Sequence, residues 1–308
     1  MFIAKNLMWP TNSDGRVEIS IGFLHGDKHH SRQKDVKHIA HAWEKAVPCL
    51  KFHWKDNLKH CHVRIEFWDS LDGISSIGIE AKDISSHKES TMSLPKNSDY
   101  QILKERTLHE FGHMLGAIHE VHNPSFPYKW NKEAIIKYYE DDLKDTGDNY
   151  GNELSSHELH KRAKQEAQVL WKDVDVNEDE RLYSRFDPIS IMVSPIRVEW
   201  IEKKHHHDPE PESTEIVDEL SDLDKSTMRE AYSGQSIINQ SLPSQQGEGR
   251  YYPYQVPYFP SVSNQSQPIS YPTPFTNNIC GNPDCGWTFI CKEDYNRRVR
   301  ACGAPGIP

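Results

Sequence analysis

The chain has 308 residues, of which 36% are hydrophobic, and its formal net charge at pH 7 is −10. This acidity disfavours a nucleic-acid partner, because such a partner requires a basic stripe on the protein. No apolar run approaches the roughly 18 residues of a membrane-spanning helix. The length suffices for one substantial core or for two smaller domains.

The N-terminal part of the chain alternates between strand and helix patterns. Val17 to Phe23 has a hydrophobic residue at every second position, as a half-buried strand does. His38 to Ala46 follows a helical period, and His62 to Trp68 alternates again. A long helix is predicted from Tyr100 to Leu115. This order predicts a mixed layer of sheet and helices.

The long helix carries "HEFGHMLGAIH", a pattern suited to a metal ion. His109 and His113 are four residues apart, so both imidazoles can point at a common atom, and neutral imidazole is a favoured zinc ligand. Gly116 lies where the helix should end, because glycine tolerates the left-handed backbone there. The chain can then bring His119 back as a third ligand, leaving tetrahedral zinc an open position for water. Glu110 reaches the same region without binding the ion.

Two more helices are predicted after the histidine motif. Asn131 can cap the helix in "NKEAIIKYYEDDL", and Ser155 with Glu158 forms a capping box at the start of "SSHELHKRAKQEAQVLW". We interpret this stretch as an insertion. It precedes "FDPISIMVSPI", Phe186 to Ile196, where two prolines favour turns around Met192.

Together these features resemble the metzincin zinc peptidases. The pattern H-E-x-x-H-x-x-G-x-x-H is similar to the zinc signature of those enzymes. Met192, in a Ser-Ile-Met context, resembles the methionine turn that forms a floor under their metal. Glu120, directly after the third histidine, is similar to the astacin branch. The resemblance covers residues 5–233 and implies an α+β, zincin-like domain with a twisted mixed sheet and a long zinc-binding helix.

The resemblance implies a zinc metalloendopeptidase acting on peptides or proteins. One catalytic Zn²⁺ would be held by His109, His113 and His119 and would activate a water molecule. Glu110 would be the general base. The segment "ESTMSLP" is similar to the substrate-holding edge strand of the family. A peptide substrate is therefore expected to pair with the strand near Thr91 to Leu94.

Ser194 departs from the astacin pattern. Astacins have a zinc-binding tyrosine at the second position after the turn methionine, and it moves to stabilise the transition state. The serine side chain is too short for that role, so we expect a four-coordinate zinc, with Tyr183 as a candidate replacement donor. Glu120 is expected to bond to an internal partner, as its astacin counterpart does with a trimmed amino terminus.

Two alternatives remain open on the sequence. The chain can be a catalytically weak zinc-binding module whose C-terminal tail mediates protein interaction. Loss of the glutamate base would mark such a protein, whereas Glu110 is present. It can also be an inhibitor-like decoy whose own tail fills the cleft. A comparison of the peptidase activity of residues 1–235 with that of the full chain would reveal this.

The C-terminal part changes in composition. Residues 234–279 are rich in Pro, Ser, Gln and Tyr without an amphipathic period, which is typical of a disordered linker. Residues 280–308 form a small Cys-rich segment. Its spacing differs from the C-x-x-C pairs of structural zinc, so two disulfides are favoured over a second metal site, with the pairing left open. Its four cysteines are Cys280, Cys285, Cys291 and Cys302. Cys49 and Cys61 either bridge neighbouring strands or stay free.

Two features bear on the compartment and point in opposite directions. The first residues, "MFIAKNLMWPTNSDG", lack the apolar core and cleavage site of a secretory signal. The family resemblance implies secretion, and Asn-x-Ser sequons at Asn239 and Asn264 favour export.

Overall fold

A computed structural model describes residues 1–24, 29–146, 154–172, 174, 176–206, 210–214 and 217–233. The predicted linker at 234–279, its sequons and the Cys-rich segment at 280–308 lie outside the described residues, so the interpretations placed on them stay predictions. Among the described residues, no helix is both long and apolar enough to cross a membrane.

The helices and strands follow the predicted order, with additional short strands. The strands are β1 (Phe2–Ala4), β2 (Val17–Phe23), β3 (Leu50–Trp54), β4 (Val63–Trp68), β5 (Ile74–Ser75), β6 (Met92–Pro95), β7 (Ala117–Ile118), β8 (Tyr128–Trp130), β9 (Arg181–Tyr183) and β10 (Ile201–Lys203). The helices are α1 (His30–Ala46), α2 (Tyr100–Met114), α3 (Lys132–Thr146), α4 (Ser156–Gln168) and α5 (Asp222–Ser233).

A mixed five-stranded sheet forms the centre of the fold. Its strand order is β3-β2-β4-β6-β5, with β5 antiparallel to β6 and the other neighbours parallel. The prediction of an edge strand near Thr91 to Leu94 is wrong, because β6 lies between β4 and β5. The edges are β3 and β5, and at β5 Ile74 pairs with Ser93. A strand of two residues has no alternation from which the sequence could reveal it.

The main core lies between this sheet and helices α1 and α2. Val17, Ile19 and Ile21 of β2 are fully buried, as their alternation predicts. Trp43 of α1 is also fully buried, and its indole Nε1 donates to the Leu108 carbonyl oxygen of α2 at 3.0 Å. Burying one such large apolar side chain stabilises the fold by about 1.5 to 3 kcal/mol. This packing fixes the orientation of α2 against the sheet.

The first residues of the chain belong to a second, three-stranded sheet. Strand β1 lies between β7 and β9, and Phe2 is paired with Ile118 on one side and Tyr183 on the other. Met1 is fully buried. Residues 1–4 are therefore part of this fold, although they precede the predicted domain boundary at residue 5.

Helices α3 and α4 form a hairpin with a hydrophobic cluster of its own. Asn131 Oδ1 accepts from the Ala134 amide at 3.1 Å and Ser155 Oγ from the Glu158 amide at 3.3 Å, so both predicted caps are confirmed. The helices meet through buried side chains at helical spacing. The cluster consists of Ile135, Tyr139, Leu143, Leu159, Ala163, Ala167 and Trp200.

The two cysteines in the described part of the chain, Cys49 and Cys61, are both free. Of the two alternatives given by the sequence, the structure has the free thiols. Burial raises the pKa of each thiol. These cysteines therefore act as small, largely apolar side chains rather than as a cross-link.

Candidate active site

Helix α2 begins and ends at residues that place its histidines. Asp99 caps the helix, its Oδ1 accepting from the Ile102 amide at 2.8 Å. At the other end Gly116 adopts a φ of 95°, the left-handed conformation that glycine tolerates. The Gly116 amide donates to the His113 carbonyl oxygen at 2.8 Å. The chain reverses there into β7, as predicted, and His119 follows.

The structure brings the three predicted histidines together. His119 Nε2 lies 3.2 Å from His109 Nε2 and 3.1 Å from His113 Nε2. His109 Nδ1 lies 2.7 Å from the Ile191 carbonyl oxygen, and His113 Nδ1 lies 2.9 Å from that of Ala117. A carbonyl oxygen only accepts, so each Nδ1 carries the proton. The Nε2 lone pairs of His109 and His113 are left for a metal ion.

This histidine cluster fits a zinc ion. Burial lowers the pKa of His113 to about 4, although its bond to the Ala117 carbonyl opposes the shift. Burial also lowers the pKa of His109 and His119, and the neighbouring histidines add to it. All three rings are therefore neutral at pH 7. Tetrahedral zinc with Zn–N bonds of 2.0–2.1 Å requires its ligand nitrogens to be about 3.3 Å apart, close to the separations above.

Met192 packs against helix α2 at Gly112, between the first two histidines. Its side chain is fully buried. A Cβ atom on Gly112 would overlap the Met192 sulfur and lie 3.5 Å from Trp43 Cζ2. Gly112, between the first two histidines, therefore lets the methionine turn approach the helix closely. This explains a residue that otherwise weakens a helix by about 1 kcal/mol.

The methionine turn is held by Asp224 of α5, a residue that sequence reasoning missed. The Asp224 carboxylate accepts from Ser190 Oγ at 2.6 Å and from the amides of Ile191 and Ser221 at 2.8 and 3.0 Å. The Ile191 carbonyl oxygen in turn accepts from His109. Asp224 is fully buried, and burial raises its pKa against the effect of these hydrogen bonds. It thus orients a candidate ligand through the turn.

Glu120 binds the first residue of the chain. Its fully buried carboxylate accepts from the Met1 ammonium at 3.1 Å, the Asp187 amide at 2.9 Å and Asn123 Nδ2 at 3.0 Å. The ammonium also donates to Ser184 Oγ at 2.6 Å. Burial raises the pKa of Glu120 to about 7, although the ammonium lowers it. The expected internal partner is therefore the amino group of Met1.

Glu110 lies between α2 and the edge strand β5. It is buried, and its carboxyl group faces the backbone at Gly73, the residue directly before β5. A Cβ atom on Gly73 would lie 2.5 Å from Glu110 Cγ and 2.6 Å from Oε1. Sequence reasoning did not single out Gly73, because its close contact is to a residue far away in the chain.

Ser194 and Tyr183 have structural contacts of other kinds. The Ser194 carbonyl oxygen accepts from Thr214 Oγ1 at 2.8 Å. Tyr183 is 47% exposed, and its ring lies edge-on to Phe2 with centroids 6.5 Å apart. The four-coordinate zinc and the role of Tyr183 as a donor stay predictions.

Comparison with known proteins supports the fold. No family model matches the sequence, and no curated protein does. A structure of myroilysin is 22% identical, with a TM-score of 0.57 over 75% of this chain and 98% of that one. A second myroilysin crystal structure is 23% identical over 73% and 86%, TM-score 0.46. High choriolytic enzyme 1, a hatching enzyme zinc-protease from Oryzias latipes (medaka fish), is 16% identical over 74% and 96%, TM-score 0.45. The chain shares the fold of myroilysin, and the predicted α+β fold with a mixed sheet and a long helix α2 is confirmed.

Proposed function

We propose that the protein is a zinc metalloendopeptidase. One observation carries the proposal: the Nε2 atoms of three neutral histidines, two of them buried, converge at the helix that also carries the buried Glu110. A binding site for zinc alone has no need of an uncoordinated acid at that place. A hydrolase needs one, because the attacking water must lose a proton.

In this proposal the ligands are His109, His113 and His119, and Glu110 is the general base. A zinc ion held there would supply the Lewis acid that polarises the scissile carbonyl group and acidifies a water molecule. Glu110 takes the proton of the attacking water and delivers it to the leaving amine. The carbonyl oxygens of Ile191 and Ala117 hold two of the imidazoles in the tautomer that leaves Nε2 unprotonated.

The substrate is proposed to be a peptide or protein segment in extended form. Strand β5 is one edge of the large sheet, and Gly73 next to it lies against the proposed base. A peptide that adds to this edge would form backbone hydrogen bonds and bring its own backbone close to Glu110. β5 therefore replaces Thr91 to Leu94 as the proposed substrate strand.

The test combines metal analysis with peptide hydrolysis by the full chain. The parent should contain about one zinc and cleave members of a peptide library, and His113→Ala should lose most of the metal. Glu110→Gln should keep zinc and fold but lose about two to four orders of magnitude in rate, because an amide cannot accept the proton. Glu133→Gln is the matched control, because it makes the same change at an exposed position of α3.

Equal rates for Glu110→Gln and the parent would contradict the proposed base. A zinc-bound parent that cleaves nothing, with binding partners lost on removal of residues 234–308, would instead support the interaction-module alternative. Activity that appears only after that removal would support the decoy alternative.

A further inference from the structure

The backbone of the protein makes an unusually close approach to the proposed base. Gly73 is buried, and the space where a Cβ atom would project is filled by Glu110 Cγ, Cδ and Oε1, at 2.5, 2.9 and 2.6 Å. Carbon atoms that only touch lie about 3.5 to 4.0 Å apart, so no larger residue fits unless Glu110 moves. We propose that Gly73 is a positioning residue, whose backbone confines the Glu110 carboxyl group to the orientation needed for proton transfer. This inference rests on the proposed role of Glu110 as general base.

The segment before Gly73 is anchored to the sheet and to α2. Trp68 Nε1 donates to the Asp72 carbonyl oxygen at 2.8 Å. Arg106 of α2 donates from Nε to the Leu71 carbonyl oxygen at 3.1 Å and forms an ion pair with Asp72, Nη2 to Oδ1, at 3.4 Å. Arg106 lies one helical turn before Glu110. The same helix therefore carries the proposed base and holds the loop that confines it.

The segment after Gly73 is anchored as well. Ile74 and Ser75 pair with Ser93 and Met92 of β6, and the Ser76 amide donates to the Thr91 carbonyl oxygen at 2.9 Å. Fixed at both ends, the backbone at Gly73 cannot retreat without breaking sheet hydrogen bonds. A glutamate side chain moves more easily, because it changes rotamer by rotation about single bonds.

The effect of Gly73→Ala follows from this difference in stiffness. The new methyl group would meet the Glu110 side chain from Cγ outwards, and these atoms move by rotation about χ1 and χ2, so Glu110 should rotate away while the fold persists. The histidines are not among the atoms nearest to that methyl group, so zinc should stay bound. A displacement of about 1 Å in a reacting group can lower a rate by about 10²-fold. Gly73→Ala should therefore act on the chemical step and not on folding.

The experiment measures peptide hydrolysis, zinc content and thermal unfolding for the full-length parent, Gly73→Ala and Gly15→Ala. A Cβ atom on Gly15 meets nothing within 4 Å, but the φ of 75° strains any other residue, so that variant controls for a loss of stability without contact to Glu110. We expect Gly73→Ala to lower kcat by about 10²-fold with zinc content unchanged. KM should change little, because Gly73 is proposed to act on Glu110 and not on substrate binding. A rise in KM at unchanged kcat would indicate a substrate contact instead.

A double-mutant cycle separates positioning from a general structural defect. If Gly73 acts through Glu110, Gly73→Ala should have little further effect on the residual rate of Glu110→Gln. An equal loss in both backgrounds would overturn the proposal, as would a parental kcat in Gly73→Ala. If the parent hydrolyses no peptide, the proposed function fails, and crystal structures of the parent and Gly73→Ala still test whether Gly73 confines the Glu110 side chain. A Glu110 side chain in the same rotamer in the parent and in Gly73→Ala would refute it.

Discussion

Replacing Asp224 by alanine should loosen the methionine turn and weaken metal binding together. The change removes the acceptor of three buried donors, which are the Ser190 hydroxyl group and the amides of Ile191 and Ser221. Asp224→Asn is the matched variant. Its Oδ1 can keep both amides, while its Nδ2 can donate to Ser190 Oγ, so the shape and most hydrogen bonds are preserved.

The magnitude follows from the donors left without a partner. Each unsatisfied buried donor destabilises the fold by about 1 to 3 kcal/mol. Burial also raises the pKa of Asp224, so removing its charge relieves part of this loss, as does any water that enters the space. We expect the free energy of unfolding to fall by about 3 kcal/mol in Asp224→Ala and by about 1 kcal/mol in Asp224→Asn.

The same change should also weaken zinc binding, through the Ile191 carbonyl group. That group orients His109, and losing such a support typically lowers metal affinity about 10- to 100-fold. Urea unfolding of the metal-free protein measures the first effect, and competition with a zinc chelator measures the second. Parental unfolding and parental zinc affinity in Asp224→Ala would refute the assigned role of Asp224.

Three further predictions concern other parts of the fold. Gly112→Ala should lower the free energy of unfolding by about 1 to 3 kcal/mol, because its methyl group would overlap Met192; a higher melting temperature, as helix propensity alone predicts, would contradict this. Burial, with a smaller contribution from Asp142, raises the pKa of Glu166 from 4.5 to about 7, so the folded state favours the neutral acid and loses stability as pH rises towards 7. Glu166→Gln should remove up to about 3 kcal/mol of that loss, and parallel pH–stability curves for variant and parent would contradict it. Truncation after Tyr232 should leave a folded, zinc-binding and active domain, and unfolding of the truncated chain by circular dichroism would show otherwise.

The sequence predicted those features whose cause is local. The ligand spacing in α2, the left-handed turn at Gly116 and the caps at Asn131 and Ser155 depend on residues a few positions apart. Periodicity predicted the strands and helices that bury one face, as in β2 and α1. The methionine turn was predicted only because a family resemblance connected Met192 to a distant motif.

What the sequence did not reveal depends on contacts between distant segments. β5 has two residues and exists because β6 offers it a partner, so the substrate edge was assigned to the wrong strand. Gly73 looks like any loop glycine until α2 brings Glu110 against it. Asp224 lies in the first turn of α5 together with Asp222, where the sequence suggests two exposed acidic residues. Only the packing of α5 shows that Asp224 is buried.

The buried carboxyl groups of Asp224, Glu120 and Glu110 have different contacts, which suit different roles. Asp224 accepts three hydrogen bonds within the protein, which suits a structural anchor. Glu120 is held by the Met1 ammonium together with Asp187 and Asn123, which fixes the chain start to the turn that follows His119. Glu110 lies against Gly73, which directly precedes the edge strand β5. Proton transfer to a substrate requires an acid that the substrate can approach, and of these three Glu110 lies next to the proposed substrate strand.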